Sequence, residues 1–461
     1  MFCQLSIVLR VCNSLSMERL VESIRDRSLR LTVLGSGYVG LPTAVLFAEA
    51  GFGVVAVDVK QEVVELVNSG ISPIEEPGLQ ERVKRNVLAG RLEATLNSQA
   101  DLRGTDAVII SVQTPIYKSK RPNLSFLKKA LEDVGRNYHD GMLVIISSTI
   151  PPGTMANFVK PRLEVLTGLR AESNFYLAYV PERIAPGRAL QEFVESPRLV
   201  GGIGPNSTRV ASELFKTVCK NVIETDAAVA EIAKLAENTF RDVNIAFANQ
   251  LASICEHYGV DVKKVIELAN THPRVRIHTP GPGVGGPCLP KDPYLLIGGV
   301  KSGRRDIVRI ARWVNDGMPD HIVEMILLAL KDAGKDVRNV KVTVLGTAYK
   351  ADVHDSRLSP SKPIIQRLLK LGAKVVAYDP YCQESFGAER AENLQEAVQR
   401  SDCIIVVTDH KQFKKIDLSK LKEYAEENPI IVDGRRMIEP SEAKNVGFKY
   451  YGVGYGREGL A

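Results

Sequence analysis

Two stretches of this chain alternate short β-branched runs with amphipathic segments, and one long amphipathic segment separates them. In the first stretch, the runs at 30–34 and 54–57 flank a segment with helical spacing that ends at Gly51, which predicts a strand, a helix and a second strand. Further strands are predicted to end in the segments 112–115 and 147–154. Strands that alternate with helices predict a parallel α/β sheet, whose ligands bind beyond the carboxyl ends of the strands.

A glycine-rich turn with the spacing GxGxxG follows the first predicted strand. Its glycines allow a tight turn and a close approach to a pyrophosphate, which the N–H groups of the next helix receive. The second strand ends in Asp58, where a carboxylate accepts hydrogen bonds from the adenosine ribose and repels a 2′-phosphate. The pattern therefore predicts NAD rather than NADP, against the alternative of a glycine turn without a ligand. The predicted cofactor residues of the turn are Gly35, Gly37, Tyr38, Val39 and Gly40.

A long helix is predicted in the middle of the chain. Between Asp226 and Tyr258 the apolar side chains recur at helical spacing, and Gly259 ends the pattern. Helices of this length usually pack against more than their own domain. We therefore interpret the segment as a connector between two domains and, as a hypothesis, as the interface of a homodimer.

The last third of the chain repeats the first in outline. Strands are predicted at 342–345, 375–378 and 404–407, and the first of them leads into a turn that begins at Gly346. This turn lacks the second and third glycines of the first one. We expect a second dinucleotide-type fold that does not hold a pyrophosphate at this turn.

Composition excludes several other classes of protein. Hydrophobic residues make up 44% and charged residues 25%, typical of a globular fold, and the net charge of +6 is too small to indicate a nucleic-acid partner. The seven cysteines are scattered without CxxC pairs, which predicts reduced thiols in the cytoplasm and no metal site. No apolar run is long enough to span a bilayer, so no membrane partner is expected.

The first 28 residues precede the predicted strands. The apolar segment 2–11 lacks the charged start of a signal peptide and is interrupted by Arg10, while Met17 opens a better candidate start. We interpret residues 1–28 as an extension to the fold. Residues 1–16 are either not translated or form a disordered extension.

A second glycine-rich segment, at 280–293, contains a thiol beside a cation. Cys288 stands among glycines and prolines rather than in an apolar periodic segment, which favours a reactive thiol over a buried inert one. Lys291 would lower the pKa of the thiol from about 8.5 and so raise the thiolate fraction. A carboxylate, Asp292, follows in the same segment. The pattern predicts a nucleophilic cysteine, with a buried inert cysteine as the alternative.

Other polar side chains indicate a function less specifically than the glycine turn and the cysteine segment do. Lys234 and Asn238 lie four residues apart on the long helix and share a face, which suits either a functional pair or a solvated polar stripe. Lys350, Arg357 and Arg435 follow strands of the last third. They offer cations to a phosphate ligand, or they are surface charges.

With these residues in view, the chain resembles the UDP-glucose/GDP-mannose dehydrogenase family over about residues 29–455. Its central segments TFRDVNIAFAN, HPRV and GPGVGG are most similar to the UDP-N-acetylhexosamine branch. Pro287 departs from that branch, which more often has His there, whereas the UDP-glucose branch usually has Ser and shares the Pro-Lys-Asp of 290–292. The motifs of the resemblance occur in the family's order and are GSGYVGLP, PIEEPGL, VQTP, STIPPGT, Pro181-Glu182-Arg183, KLAENTFRDVNIAFANQL, GPGVGGPCLPKDP, AYKADVHDSR and DGRR.

The resemblance implies oxidation of a sugar C6 alcohol to a carboxylate by two NAD⁺ in succession, with UDP-N-acetyl-D-mannosamine as the first substrate to expect. An aldehyde yields a second hydride only after a nucleophile adds to its carbonyl, and a Cys288 thiolate would supply a thiohemiacetal and then a thioester. Two alternatives stay open. One is the same reaction on UDP-N-acetylglucosamine or UDP-glucose, and the other is an inactive nucleotide-sugar-binding protein, which the joint presence of the catalytic residue types disfavours.

The resemblance also implies roles for individual residues. Arg274 would reach the substrate from a neighbouring subunit of a homodimer or larger homo-oligomer. Catalytic roles are expected for Cys288, Lys234, Asn238, Asp292, Glu182 and Thr149. Cofactor contacts beyond the glycine turn are expected from Asp58, Thr114, Thr149, Lys291 and Arg357. Substrate contacts are expected from Glu182, Arg183, Lys234, Asn238, Arg274, Gly285, Lys350 and Arg435.

The predicted fold class is α/β, with two Rossmann-like doubly wound domains joined by a long central helix. The predicted organisation is an extension at 1–28, an NAD-binding Rossmann domain at 29–225, a central helical region for connection and dimerisation that includes the cysteine loop at 226–325, and a UDP-sugar-binding Rossmann-like domain at 326–461.

Overall fold

The structure is a computed structural model that describes residues 17–96, 102–300 and 306–456. These residues form two compact units. The N-terminal unit comprises 17–236 with Tyr294–Val300, and the C-terminal unit comprises 237–293 with 306–456. Within the described residues, no helix is both long and apolar enough to cross a membrane.

The N-terminal unit is built on an eight-stranded sheet with the order β3-β2-β1-β4-β5-β6-β7-β8. Neighbouring strands are parallel except for the antiparallel pair β6 and β7. The strand order reverses between β1 and β4, which is where open α/β sheets bind ligands. The strands are β1 Arg30–Leu34, β2 Gly53–Val57, β3 Leu92–Thr95, β4 Ala107–Ile110, β5 Leu143–Ile146, β6 Tyr176–Tyr179, β7 Arg198–Gly202 and β8 Val222–Asp226.

Helices cover both faces of this sheet, because the strands carry apolar side chains on both faces. Val33 and Val45 belong to the core on one face, and Leu34 and Leu131 belong to the core on the other. The helices are α1 (residues 17–25), α2 Gly40–Glu49, α3 Gln61–Asn68, α4 Leu79–Leu88, α5 Ser125–Arg136, α6 Lys160–Thr167, α7 Ala189–Glu195 and α8 Pro205–Lys216, with a 3₁₀ turn at Leu102–Gly104 and a π-helical turn at Met155–Val159.

Helix α1 corrects one expectation from the sequence. Residues 1–28 are predicted as an extension, yet residues 17–25 are helical and bury Leu20, Val21 and Ile24 in the core of the N-terminal unit. The spacing of Leu20, Val21 and Ile24 places them on one face of a helix, but the helical segment 17–25 is short and precedes the first predicted strand. Residues 1–16 lie outside the described residues.

The C-terminal unit contains a six-stranded parallel sheet with the order β11-β10-β9-β12-β13-β14. Its strands are β9 Lys341–Leu345, β10 Lys374–Tyr378, β11 Glu389–Arg390, β12 Cys403–Val406, β13 Ile430–Asp433 and β14 Lys449–Gly452. The remaining helices are α9 Ala227–His257, α10 Val262–Ala269, α11 Asp292–Ile297, α12 Ile307–Asp332, α13 Ser361–Lys370, α14 Leu394–Val398, α15 Leu418–Tyr424 and α16 Pro440–Val446, with 3₁₀ turns at Val337–Asn339 and Phe413–Lys415.

Helix α9 is the long helix that the sequence predicts, and it contains 31 residues. Its later part buries Ala248, Ala252 and Cys255 in the core of the C-terminal unit, where Ile322 and Ile326 of α12 pack with them. Two α/β sheets, the first parallel except for the pair β6 and β7 and the second fully parallel, and one long central helix confirm the predicted fold class.

Candidate active site

The glycine turn after β1 has the geometry of a phosphate cradle. Gly35 has a φ of +98°, and a Cβ on it would lie 2.6 Å from the carbonyl oxygen of Ser111. A Cβ on Gly40 would lie 1.7 Å from the carbonyl oxygen of Gly35. Both glycines are therefore required by the fold itself. A Cβ on Gly37 would meet no atom within 4 Å, so this glycine leaves open space where a ligand can approach.

Helix α2 begins directly behind this turn, at Gly40. Its N-cap is Val39, whose aliphatic side chain makes no capping hydrogen bond, and Tyr38 precedes it. The first-turn N–H groups thus have no side-chain acceptor from the N-cap and carry the partial positive charge of the helix N-terminus. The turn lies at the switch between β1 and β4. Its residues fit a pyrophosphate held by backbone N–H groups.

Asp58 follows β2 and contacts the same turn. Its Oδ2 accepts the N–H of Ser36 at 3.0 Å, and its Oδ1 accepts the N–H of Lys60 at 3.0 Å. The side chain is only partly buried, so the carboxylate is held in place while it keeps an exposed side. This geometry fits recognition of a ribose by hydrogen bonds at the end of the second strand.

The Asp58→Ala variant is expected to bind NAD about 10- to 100-fold more weakly, because a charged acceptor for hydrogen bonds is lost. It should also discriminate less against NADP, since the repulsion of a 2′-phosphate disappears. Titration of NADH fluorescence measures both affinities. Glu62→Ala, which removes an exposed carboxylate from the following helix, serves as the control. An NAD affinity unchanged in Asp58→Ala would contradict the role given to this carboxylate.

Thr114 and Thr149 lie beyond the neighbouring strands β4 and β5. The Oγ1 of Thr114 donates to the carbonyl oxygen of Thr149 at 2.5 Å, and Ser148 donates to the carbonyl oxygen of Val112 at 2.6 Å. The two loops are thus tied to each other at the carboxyl edge of the sheet. Both threonines lie at the edge where the sequence predicts a ligand.

Glu182, after β6, is buried and bonded to its own unit. Its Oε2 accepts from Arg198 at 2.8 Å, and its Oε1 accepts the N–H groups of Arg183 at 2.7 Å and Ile184 at 3.0 Å. The Arg183 side chain in turn donates to the carbonyl oxygen of Pro197 at 2.6 Å. With both carboxylate oxygens engaged, these contacts favour a positioning role for Glu182 over proton transfer.

Lys234 is a buried cation on α9. Its side chain is only 8% exposed, and no atom of the described residues accepts a hydrogen bond from its Nζ. A largely buried lysine whose Nζ donates to no described acceptor can donate to a ligand instead. Of the two interpretations that the sequence leaves open, burial disfavours the solvated polar stripe.

Asn238, Lys291 and Asp292 form a hydrogen-bonded group in the C-terminal unit. The Nδ2 of Asn238 donates to Oδ2 of Asp292 at 2.6 Å, and the Nζ of Lys291 donates to Oδ1 at 2.6 Å. Asp292 is fully buried and is the first residue of α11. Its N–H donates to the carbonyl oxygen of Cys288 at 2.9 Å, so the carboxylate and the thiol belong to one turn of the chain.

Cys288 is exposed, and the charge of Arg357 interacts with it. Arg357 donates to Asp355 at 2.7 Å. This hydrogen bond is the main reason that the pKa of Arg357 is raised, and the charge of Cys288 adds a smaller contribution. Lys291 donates to Asp292 at 2.6 Å, and its effect on the thiol stays a prediction. The structure adds Arg357, whose charge interacts with the thiol from a distant segment that sequence spacing does not reveal.

The glycine loop before Cys288 is held at both ends. The N–H of Gly281 donates to Oδ1 of Asn249 at 2.9 Å, and the N–H of Gly286 donates to the carbonyl oxygen of Arg357 at 2.9 Å. A Cβ on Gly285 would lie 2.6 Å from the carbonyl oxygen of Leu358. Close packing against Leu358 therefore explains why this position has no side chain. Asn249 is not identified from the sequence. The feature that could have indicated it is a polar side chain on the buried face of α9.

Arg435 lies along the start of this loop. Its Nε donates to the carbonyl oxygen of Val407 at 2.8 Å, and it is 3.7 Å from a carboxylate oxygen of Asp409. A Cβ on Gly281 would lie 3.0 Å from its Nη1. Burial lowers the pKa of Arg435. Two other predicted substrate residues of this unit, Lys350 and Arg274, are exposed, and their roles stay predictions.

The turn after β9 differs from the turn after β1 in what occupies it. The Oδ2 of Asp379 accepts the N–H groups of Thr347 at 2.6 Å and Ala348 at 2.8 Å, and it contacts His410 at 3.0 Å. Burial alone would raise the pKa of Asp379, but the hydrogen bond and charge of His410, together with backbone N–H groups, lower it to about 2. A carboxylate of the protein thus takes the N–H groups that a phosphate would need, and the next helix begins only at Ser361.

Three models of one protein family match successive parts of the chain. The NAD binding domain of the UDP-glucose/GDP-mannose dehydrogenase family matches residues 29–219, its central domain matches 228–316, and its UDP binding domain matches 343–440. The cofactor turn belongs to the first match, Lys234 and Cys288 to the second, and Arg357 and Arg435 to the third.

Individual relatives extend the similarity over nearly the whole chain. UDP-N-acetyl-D-mannosamine dehydrogenase from Pyrococcus horikoshii is 42% identical over 93% of this chain and 100% of its own length. Its solved structure superposes with a TM-score of 0.88 at 41% identity, covering 93% of this chain and 99% of that one. NDP-N-acetyl-D-galactosaminuronic acid dehydrogenase from Methanosarcina mazei Go1 gives a TM-score of 0.83 at 39% identity, covering 96% and 98%.

Proposed function

This chain belongs to the UDP-glucose/GDP-mannose dehydrogenase family, and from that premise we propose that it oxidises the C6 alcohol of UDP-N-acetyl-D-mannosamine to the carboxylate. The 42% identity to an archaeal enzyme named for that sugar supports the choice of substrate. The observation that carries the chemistry is the turn in which Cys288 and the buried Asp292 are joined by a backbone hydrogen bond.

In the first oxidation the C6 alcohol loses a proton and a hydride. NAD, when bound at the glycine turn, accepts the hydride of each oxidation. Lys234 is a cation without a hydrogen-bond acceptor among the described residues, and it would stabilise the negative charge that develops on the C6 oxygen. The product of this step is an aldehyde that stays bound.

In the second oxidation Cys288 acts as the nucleophile. Its Sγ forms a bond to the aldehyde carbon, the carbonyl oxygen becomes an alkoxide, and the resulting thiohemiacetal loses a hydride to give a thioester. The positive charge of Arg357, which interacts with the thiol, would favour the thiolate form. Water then attacks the thioester carbon, the C–S bond breaks, and the carboxylate leaves with the thiol regenerated.

Asp292 is suited to take a proton from that water, because each of its oxygens accepts one hydrogen bond and keeps a second lone pair, whereas Oε1 of Glu182 already accepts two. The side chains of Asn238 and Lys291 each donate to one of its oxygens at 2.6 Å, which fixes the orientation of the carboxylate next to the cysteine turn. Asn238 thereby acts partly through Asp292. A carboxylate held in this way can orient a water molecule and receive its proton as the thioester is hydrolysed.

The choice of sugar is tested by a panel of UDP-N-acetylmannosamine, UDP-N-acetylglucosamine, UDP-N-acetylgalactosamine and UDP-glucose. We expect the highest kcat/KM for UDP-N-acetylmannosamine, measured from NADH absorbance. A higher value for another sugar would leave the family chemistry in place and replace the substrate. If no sugar is oxidised while NADH still binds, the chain is either a nucleotide-sugar-binding protein or an enzyme for a substrate outside the panel.

We also propose a homodimer, or a larger assembly built from it, through the exposed apolar face of α9. Phe240, Phe247 and Ile254 recur every seven residues on this helix and are 65%, 54% and 44% exposed. Exposed apolar side chains at this spacing indicate a helix-to-helix interface. Light scattering at micromolar concentration should give at least twice the mass of one chain, and a monodisperse monomer would rule the proposal out.

A further inference from the structure

Glu231, near the start of α9, is a fully buried carboxylate held by backbone alone. Its Oε2 accepts the N–H of Gly153 at 2.7 Å, and its Oε1 accepts the N–H of Met155 at 2.7 Å. No lysine, arginine or histidine of the described residues pairs with it. The carboxylate and both donors belong to the N-terminal unit.

Such a group is costly to bury. Loss of water around the carboxylate raises the pKa of Glu231, while the N–H groups of Met155, Gly153 and Thr154 act in the opposite direction. An apolar side chain would avoid this cost. What a carboxylate adds is two short charge-assisted hydrogen bonds to two backbone groups at the same time.

These bonds fix the end of the loop that carries Thr149. Gly153 has a φ of +82°, and Met155 starts the π-helical turn Met155–Val159, a geometry that is frequent at functional sites. The start of the same loop is held by the bond from Thr114 to the carbonyl oxygen of Thr149. The loop is therefore anchored from β4 at one end and from α9 at the other.

Glu231 also lies within one helical turn of Lys234, with only two residues between them. A helix is rigid over this distance. We infer that Glu231 is a positioning residue, which holds the Thr149 loop in a fixed relation to Lys234. The inference rests on the proposed function, because the proposed function gives Thr149 and Lys234 their roles. On this inference the carboxylate of Glu231 serves the geometry of the loop, for which its two bonds to backbone N–H groups suit it.

The variant Glu231→Gln tests this directly, because it keeps the size of the side chain but replaces one acceptor oxygen with a donor. Amide hydrogen exchange in residues 150–159 should become at least about tenfold faster, since an N–H loses its acceptor. The kcat for the UDP-sugar that the unmodified protein oxidises should fall by about 10- to 100-fold, with a much smaller change in the KM of that sugar. Glu231→Asp, which keeps the charge, should recover part of the loss and serves as the test if the Gln variant does not fold.

A matched control exists in the same unit. Glu172 accepts the N–H groups of Asn206 at 3.0 Å and Ser207 at 2.9 Å at the start of α8, which is the same kind of contact. Glu172→Gln should speed exchange at the start of α8 and leave kcat unchanged. A purely structural role of Glu231 would make both variants alike, with lower stability and the same kcat.

Two results would overturn the inference. Unchanged exchange in residues 150–159 of Glu231→Gln would show that the carboxylate does not hold the loop, and faster exchange with unchanged kcat would show that the loop position does not matter. If the unmodified protein oxidises no UDP-sugar, the proposed function fails. The affinity for NADH then tests the positioning role of Glu231 in place of kcat. Weaker NADH binding in Glu231→Gln but not in Glu172→Gln supports the role, and equal affinity overturns it.

Discussion

The Cys288→Ser variant is expected to lose the second oxidation. A serine hydroxyl at this position is a far weaker nucleophile than a thiolate, so the aldehyde cannot form the adduct from which a hydride leaves. We expect uronate formation to fall by about three orders of magnitude or more, while NADH binding stays unchanged. Product analysis by mass spectrometry should find aldehyde or its hydrate in place of uronate.

Cys382→Ser is the matched control for this variant. Its Sγ is buried and lies 3.6 Å from the carbonyl oxygen of Val353, a contact that a hydroxyl can also make. This variant should retain its activity. If Cys288→Ser forms uronate at the rate of the unmodified enzyme, the covalent route is wrong, and hydration of the aldehyde would have to precede the second hydride transfer.

The Lys234→Ala variant should show the second large effect. Without the ammonium, the charge that develops on the C6 oxygen has no cation from α9, and loss of one such stabilising group typically lowers kcat by about 10²- to 10³-fold. Because Nζ has no hydrogen-bond acceptor within the described chain, its removal should not lower the melting temperature. Steady-state kinetics combined with thermal unfolding separates these two effects.

Lys264→Ala, which removes an exposed cation from α10, should change neither quantity. If Lys234→Ala retained full kcat, Lys234 would be an incidental buried cation. If it lost activity only in proportion to a lower melting temperature, the lysine would serve the fold.

The sequence was sufficient for the elements and for the cofactor turn, because both depend on local patterns. Strand and helix periods predict β1, β2 and α9 to within a few residues, and GxGxxG predicts a turn whose Gly35 and Gly40 the backbone requires. Helix α1 was missed, although Leu20, Val21 and Ile24 have helical spacing, because the segment is short and precedes the first predicted strand.

Contacts between distant segments could not be read from spacing. Lys291 lies three residues from the thiol in sequence and donates to Asp292, and the charge of Arg357, from another loop, also interacts with the thiol. Likewise, the sequence indicates only a catalytic role for Glu182, and its bond to Arg198 is what favours positioning over proton transfer. In each case the tertiary structure determines which charged groups interact.

The central claim is a four-electron oxidation on one cysteine, and the most direct test is the number of NADH molecules formed per UDP-sugar consumed. The account predicts two NADH per sugar with uronate as the product and no aldehyde released into solution. One NADH per sugar, with free aldehyde accumulating, would contradict the role assigned to Cys288.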